Sequence, residues 1–146
     1  MVDLWSVATC LYELFTGHVM FPGKSNNEML KLHMDIKGRF SNKILRAHLR
    51  SYESLQMDPH FEESLKFKFF ETDPVSGKSI MRLIEISQPA KDLKNILLSS
   101  KAGADDRKTV AALADLLDKC LGLDPSKRPS VNEILKHEFF HNKQTS

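Results

Sequence analysis

The sequence contains no run of about 18 consecutive apolar residues, the minimum for a membrane-spanning helix. Its start, Met1-Val2-Asp3, also lacks the basic region and apolar run of a signal peptide. Only two cysteines occur among 146 residues, and both Cys10 and Cys120 lie in apolar stretches with helical spacing. We therefore expect an intracellular, soluble protein whose cysteines are small buried hydrophobic side chains, not a disulfide or a metal pair.

The chain also has little net charge, because 21 Lys and Arg stand against 19 Asp and Glu, giving +2. Such a balance does not support nucleic acid or an anionic membrane as the main partner. With 41% hydrophobic and 27% charged residues, the composition is typical of a soluble globular domain.

Two short strings resemble chemical motifs. Gly23-Lys24-Ser25 matches the end of a phosphate-binding loop, but that pattern needs a glycine five positions before Gly23, where this chain has His18. We therefore predict no nucleotide site there. No glycine-rich dinucleotide fingerprint occurs, and nothing in the sequence locates a nucleophile with its histidine and acid.

The second string, His137-Glu138-Phe139-Phe140-His141, matches H-E-x-x-H, which on a helix could bind zinc beside a glutamate base. It lies at the end of a short helical pattern, so we expect the two phenylalanines to fill the core and both histidines to face water. A zinc peptidase remains an alternative. The residues alone thus predict no catalytic, cofactor-binding or metal-binding residue.

The hydrophobic periodicity predicts a mostly helical chain with one β-hairpin. The expected elements are a helix over Leu4–Phe15 with Asp3 as N-cap, a helix from a capping box Ser25–Glu28 to Gly38, a helix containing Ile44–Tyr52, strands Phe67–Glu71 and Ser79–Ile86 around the turn 73–77, a helix starting at Pro89, a linker 99–106, a helix over Val110–Leu121, and a short helix opened by a capping box Ser130–Glu133.

The first of these helices is apolar around nearly its whole circumference, which is typical of a helix buried on all sides. Its position at the start of the chain leads us to expect that part of the surrounding fold is missing. The segment 31–50 has six basic residues and one acid, Asp35. It forms either a solvated face or a docking surface for an acidic or phosphate-bearing partner.

Two segments together resemble the C-terminal lobe of protein kinases. Residues 3–17, DLWSVATCLYELFTG, are similar to the D-x-W-S segment and central helix of that lobe, and residues 123–130, LDPSKRPS, resemble the arginine motif near its end. The turn Phe21-Pro22-Gly23 resembles that of the CMGC group of serine/threonine kinases. Residues 23–38 and 89–93 are similar to the pre-mRNA-processing factor 4 kinases within that group.

The resemblance implies a partial kinase domain over 1–141 with a CMGC-type insert at about 43–107, followed by a tail at 142–146. In the family, the residue matching Asp3 anchors the catalytic loop, the residue matching Trp5 is in the core, and the one matching Arg128 pairs with a glutamate ending the activation segment. These three are structural motif residues.

The resemblance further implies that the parent protein is a nuclear kinase, which transfers the ATP γ-phosphoryl to Ser or Thr of proteins such as splicing factors, with Mg. Its glycine-rich loop and catalytic aspartate would precede Met1. We therefore expect this chain alone to be inactive, to bind neither ATP nor Mg, and to have the missing N-terminal part of the kinase domain as a partner. The alternative function is a non-catalytic interaction module that uses the 31–50 segment and the insert, with no membrane or direct nucleic-acid contact.

Overall fold

The computed structural model describes residues 2–100 and 106–141, and these confirm a mostly helical chain with one hairpin. The chain divides into two compact units, a first unit of residues up to Met20 together with those from Lys91 onward, and a second unit of Phe21–Ala90. The elements are α1 (Val2–Thr16), α2 (Asn26–Lys37), α3 (Asn42–Ser54), β1 (Phe67–Thr72), β2 (Ser79–Ile84), α4 (Leu93–Ser99), α5 (Arg107–Cys120), α6 (Val131–Ile134), and 3-10 turns at Pro125–Lys127 and Glu138–Phe140.

The first unit is organised around α5, against which α1, α4 and the last 3-10 turn pack. The apolar residues of α5 recur at helical spacing and form one buried face. Asp106 caps its start by accepting a hydrogen bond from the Thr109 amide. The buried residues of α5 are Val110, Ala112, Leu113, Ala114, Leu116, Leu117 and Cys120.

The helix α1 contributes Leu4 and Ala8 to the core of this unit, and both are buried. The expectation of burial on all sides is wrong for the residues described, because the side chains of Val7 and Leu14 are 51% and 82% exposed. Cys10 is also exposed, so the prediction of a buried side chain holds only for Cys120. The apolar circumference of α1 exceeds what this unit covers.

The second unit has its own core, formed where α2, α3 and β1 bring apolar side chains together. Phe61 forms an isolated antiparallel bridge with Phe67, and their rings lie 5.2 Å apart between centroids. The fully enclosed members are Met34, Leu45, Phe61 and Phe67, with Leu30, Phe40, Leu49, Leu65, Phe69 and Ile86 packed around them.

A buried amide joins α2 to β1 in this unit. The Asn27 side chain donates to the Lys68 carbonyl at 2.7 Å and accepts from the Phe70 amide at 3.1 Å. These backbone groups lie on the side of β1 away from β2. Asn27 therefore satisfies polar groups that would otherwise lack partners beside the core.

The hairpin agrees closely with its prediction. Strands β1 and β2 are antiparallel, with Phe67 opposite Ile84 and Thr72 opposite Ser79. In the connecting turn, the Asp73 carbonyl accepts from the Gly77 amide at 2.8 Å, and the Asp73 carboxylate accepts from Val75. Whether the hairpin belongs to a CMGC-type insert stays a prediction.

The structure places the N-termini of α1 and α4 at other residues than predicted, whereas the C-terminus of α2 is at Gly38 as predicted. Gly38 has φ of +76°, a conformation that favours glycine, and its amide donates to the Met34 carbonyl. Pro89 does not begin a helix: α4 begins at Leu93, because Asp92 caps it by accepting from two backbone amides. Asp3 lies within the first turn of α1 and not at its N-cap.

Two further predicted segments are the linker before α5 and the C-terminal tail. Most of the predicted linker, residues 101–105, and the tail 142–146 lie outside the described residues. Among the helices that the structure describes, none has the length and apolar character needed to cross a membrane.

Two neighbouring histidines of the second unit are held neutral. The His48 Nε2 atom accepts from the His60 amide at 3.1 Å, and the Asn27 amide nitrogen lies 3.2 Å from His60 Nδ1. Burial lowers the pKa of His48, and the nearby His60 lowers it further. Burial and the charge of Lys68 likewise lower the pKa of His60.

These pKa values predict an acid-sensitive stability. Lowered folded-state pKa values mean that the unfolded chain binds more protons, so stability is full above the ordinary value of 6.5 and is lost as the pH falls through it. Urea unfolding between about pH 8 and pH 5 should show this loss, and the double variant His48→Gln/His60→Asn should reduce the slope. The control variant His18→Gln/His141→Gln, at exposed sites, should retain the full loss of stability with falling pH. An equal effect of both double variants would contradict the assignment of this loss to His48 and His60.

Candidate functional site

Trp5 and Arg128, two of the three motif residues, meet in the first unit. The Arg128 guanidinium carbon lies 5.0 Å from the centre of the Trp5 ring, and the Arg128 Nε donates to the Gly122 carbonyl at 2.7 Å. Both side chains are half-buried. Arg128 therefore joins the loop that follows α5 to α1 through a cation–π contact and a hydrogen bond.

Local hydrogen bonds define the loop that carries Arg128. The Asp124 carboxylate accepts from the Ser126 amide at 3.0 Å and caps the 3-10 turn. Four residues later the Ser130 hydroxyl accepts from the Glu133 amide, while the Glu133 carboxylate accepts from the Ser130 amide. This confirms the predicted capping box and fixes both sides of Arg128.

Asp3, the third motif residue, is not brought into this contact. Its side chain is exposed in the first turn of α1 and forms no hydrogen bond or ion pair with any residue that the structure describes. A carboxylate near a helix N-terminus interacts favourably with the helix dipole. Its family role in anchoring a catalytic loop stays a prediction.

The Trp5–Arg128 contact can be observed directly, because Trp5 is the single tryptophan of the chain. Arg128→Ala should shift Trp5 emission to longer wavelength and increase its quenching by acrylamide, since one face of the ring loses its cover. Arg128→Lys, which keeps the charge but not the planar group, should give an intermediate change. The neighbouring exposed-residue variant Lys127→Ala should leave the spectrum unchanged, and an unchanged spectrum in Arg128→Ala would refute the contact.

A second polar cluster, which the sequence did not predict, joins the chain's last turn to α5. The His137 Nδ1 accepts from the Phe139 amide at 3.2 Å, which leaves the hydrogen on Nε2. The Nε2 atom lies 2.7 Å from the Asp115 carboxylate, to which it donates. Lys119 also contacts Asp115, at 2.5 Å.

The structure corrects the prediction for the string 137–141. It forms a 3-10 turn and not an α-helix, His137 is buried, and Phe140 is 49% exposed. Only His141 faces water as predicted. Both ring nitrogens of His137 are engaged, and no group of three or more His, Cys, Asp or Glu side chains arranged to hold a metal occurs in residues 2–100 and 106–141.

The cluster stabilises a charged carboxylate. The hydrogen bond from Lys119 lowers the pKa of Asp115, with a further contribution from the hydrogen bond of His137. His137, held between the Asp115 carboxylate and a backbone amide, orients the final turn on α5. This arrangement contains no adjacent nucleophile among the described residues and is structural.

The two histidines of the string should therefore differ in their effect on stability. His137→Ala removes two hydrogen bonds and should lower the free energy of unfolding by about 1–3 kcal/mol. His141→Ala, at an exposed position, should change it by less than about 0.5 kcal/mol. Urea unfolding of both variants at one pH tests this, and equal losses would show that the cluster is not structural.

The string Gly23-Lys24-Ser25 is a helix start and not a phosphate cradle. The Ser25 hydroxyl accepts from the Glu28 amide, as the predicted capping box requires, but the Glu28 carboxylate accepts from the Lys24 amide at 2.7 Å and not from the Ser25 amide. A Cβ at Gly23 would lie 2.8 Å from Met29 Sδ, so glycine is required for close packing. The Glu28 carboxylate thus occupies the Lys24 amide, and the absence of a nucleotide site here stays a prediction.

The two cysteines differ in burial. Burial raises the pKa of the Cys120 thiol, which keeps it protonated. Cys10 is exposed on α1.

The basic segment 31–50 divides into two parts. Lys31 pairs with Asp35 one turn away on α2, at 2.5 Å. The other part lies on or next to α3, where the exposed cations Arg39, Lys43, Arg46 and Arg50 form no ion pair with the residues that the structure describes.

Comparison with known proteins assigns the chain to a family. The sequence profile of the protein kinase domain matches residues 1–140. This chain belongs to the protein kinase family. The serine/threonine-protein kinase prp4 of Schizosaccharomyces pombe is 37% identical over 140 residues, which cover 95% of this chain and 28% of that protein. The serine/threonine-protein kinase prpf4B of Dictyostelium discoideum is 40% identical over 141 residues, covering 94% and 16% respectively.

A more distant kinase of the same group, the dual specificity protein kinase CLK1 of Mus musculus, is 29% identical over 143 residues, or 95% of this chain and 24% of that protein. The matches confirm the resemblance to CMGC-type kinases and, within them, to the prp4 kinases. The chain spans only 28% and 16% of the length of its two prp4-type relatives.

The kinase family implies ATP and magnesium, and the described residues do not fit either. In the string that resembles a phosphate loop, the Lys24 amide donates to the Glu28 carboxylate and the Ser25 hydroxyl caps α2. The acids with lowered pKa values cap helices or turns, or pair with Lys119. From the residues that the structure describes, we therefore derive no step that involves ATP or magnesium.

Proposed function

We propose that this chain is the C-terminal part of a kinase domain. The whole protein would transfer the γ-phosphoryl group of ATP, with Mg, to Ser or Thr of protein substrates. A role in pre-mRNA splicing and a nuclear location follow from the resemblance to the pre-mRNA-processing factor 4 kinases. The observation that carries the proposal is the kinase-domain match over 1–140, supported by the prp4-type relatives that cover about the same residues.

In this proposal the chain supplies structure to the kinase, while residues N-terminal to Met1 supply the chemistry. Trp5 and Arg128 support this division, because the role of both side chains is structural: they join the loop after α5 to α1. The exposed apolar side chains of α1, Val7 and Leu14, offer a surface that the rest of the domain would cover. The isolated chain is accordingly inactive.

A second candidate function is docking of a protein partner through the second unit, without catalysis. The observation that favours it is the group of exposed cations on α3 that form no ion pair with any residue in the described part of the chain. The two functions are compatible, because a kinase domain can both hold and modify a substrate. They differ in which residues matter, since docking depends on α3 and phosphoryl transfer does not require it.

The proposal predicts the outcome of a transfer assay. The purified 146-residue chain, given radiolabelled ATP, Mg and a serine-rich protein substrate, should incorporate no label above a blank that contains no protein. The longer protein that contains these residues, prepared in the same way, should label the substrate. Robust labelling by the isolated chain would refute the division, and an inactive longer protein would argue against a kinase and leave the docking function.

A further inference from the structure

We propose that one face of α3 binds a phosphorylated segment of a protein partner. The inference rests on the second proposed function, docking, and is independent of phosphoryl transfer. It starts from three exposed cations, Lys43, Arg46 and Arg50, at positions i, i+3 and i+7 of the helix.

The three cations lie close together on the surface. At about 100° per residue, they fall within about 60° around the helix axis and within about 10.5 Å along it. The buried side of α3 lies about 110° around the helix axis from the centre of these cations, where Leu45 is fully buried and Leu49 packs against the core of the second unit. All three cations are exposed and lie outside that core.

The charge on this face is not neutralised within the described chain. Lys43, Arg46 and Arg50 form no ion pair with any residue that the structure describes, in contrast to Lys31 and Lys119, which pair with acids one turn away. The one acid of α3, Glu53, lies at its last turn and does not pair with Arg50. This surface therefore favours a partner with negative charge.

The chemistry favours a phosphate monoester over a carboxylate. Arg46 and Arg50 are one turn apart, which places their Cβ atoms about 6 Å apart, and each guanidinium offers two parallel N–H donors. A phosphate has nearly two negative charges and three acceptor oxygens, enough for both arginines, whereas a carboxylate is satisfied by one. Lys43 adds a third charge one turn earlier, and the small exposed Ala47 beside it leaves room for a peptide.

The same face is less suited to RNA. Single-stranded nucleic acids bind through bases stacked on aromatic side chains along a basic groove. The aromatic ring of α3, Tyr52, packs against His48 with centroids 4.0 Å apart, on the side opposite the cations. The chain has a net charge of only +2. We therefore assign the face to a phosphopeptide.

The test measures binding to the whole 146-residue chain by fluorescence anisotropy. The probes are a labelled peptide with two phosphoserines, the same peptide without phosphate, the same peptide with glutamates at those positions, and an oligouridylate of matched charge. We expect the phosphopeptide to bind at least roughly tenfold more tightly than each of the other three, with affinity that weakens as salt rises.

The variants locate the site. The triple variant Lys43→Gln/Arg46→Gln/Arg50→Gln should weaken phosphopeptide binding by at least roughly tenfold. Arg46→Lys/Arg50→Lys should weaken it by a smaller factor, because the charge remains but the paired donors are lost. The matched control Lys78→Gln/Lys94→Gln/Lys127→Gln removes three exposed charges elsewhere and should change affinity less than about twofold. Circular dichroism confirms folding, and the lysine double variant gives the answer if the triple variant does not fold.

Each other outcome overturns the inference in a distinct way. Equal binding of the phosphate and glutamate peptides would leave docking of acidic partners but remove phosphate recognition. Tighter binding of the RNA would replace the protein partner with a nucleic acid. No binding by any probe would refute the docking function itself, and equal losses in the site and control variants would show that only net charge matters.

Discussion

The buried face of α5 is the constraint on which the first unit depends. Seven of its residues are buried, and α1, α4 and the last 3-10 turn all lie against this helix. The polar contacts of the unit attach to α5 as well. Arg128 reaches the Gly122 carbonyl just beyond its end, and His137 donates to Asp115 in its middle. Loss of the apolar face would therefore remove the support of the Trp5–Arg128 contact and of the final turn together.

Much of this could be predicted from local sequence because the interactions are local. The spacing of Val110, Leu113 and Leu117 determines which face of α5 is buried, and the Ser130–Glu133 capping box involves residues three apart. The turn between β1 and β2 is likewise determined by its own residues. Such features need no knowledge of what packs from elsewhere in the chain.

The features that the sequence did not predict depend on contacts between distant residues. His137 is buried because Asp115, 22 residues away, accepts its hydrogen, and Cys10 is exposed because no described element covers that side of α1. Proline favours helix starts, which predicts Pro89 as the start of α4, but the Asp92 carboxylate accepts from two backbone amides and sets the boundary at Leu93. The four-residue spacing of Asp115 and Lys119 indicates an ion pair within one helix, whereas the contact of Asp115 with His137 depends on the tertiary fold.

The family assignment and the chemistry of the chain are separate conclusions. The kinase-domain match shows the family, whereas the described polar groups cap helices, form ion pairs or, like Arg128 against Trp5, make structural contacts. What the chain offers to other molecules is surface: apolar side chains on α1 and cations on α3.

The most direct test of this account is the sequence of the messenger RNA upstream of the Met1 codon. We predict an open reading frame continuous with Met1 that encodes a glycine-rich phosphate loop, a lysine–glutamate pair and a catalytic-loop aspartate. An in-frame stop codon directly upstream, in the abundant form of the message, would contradict it.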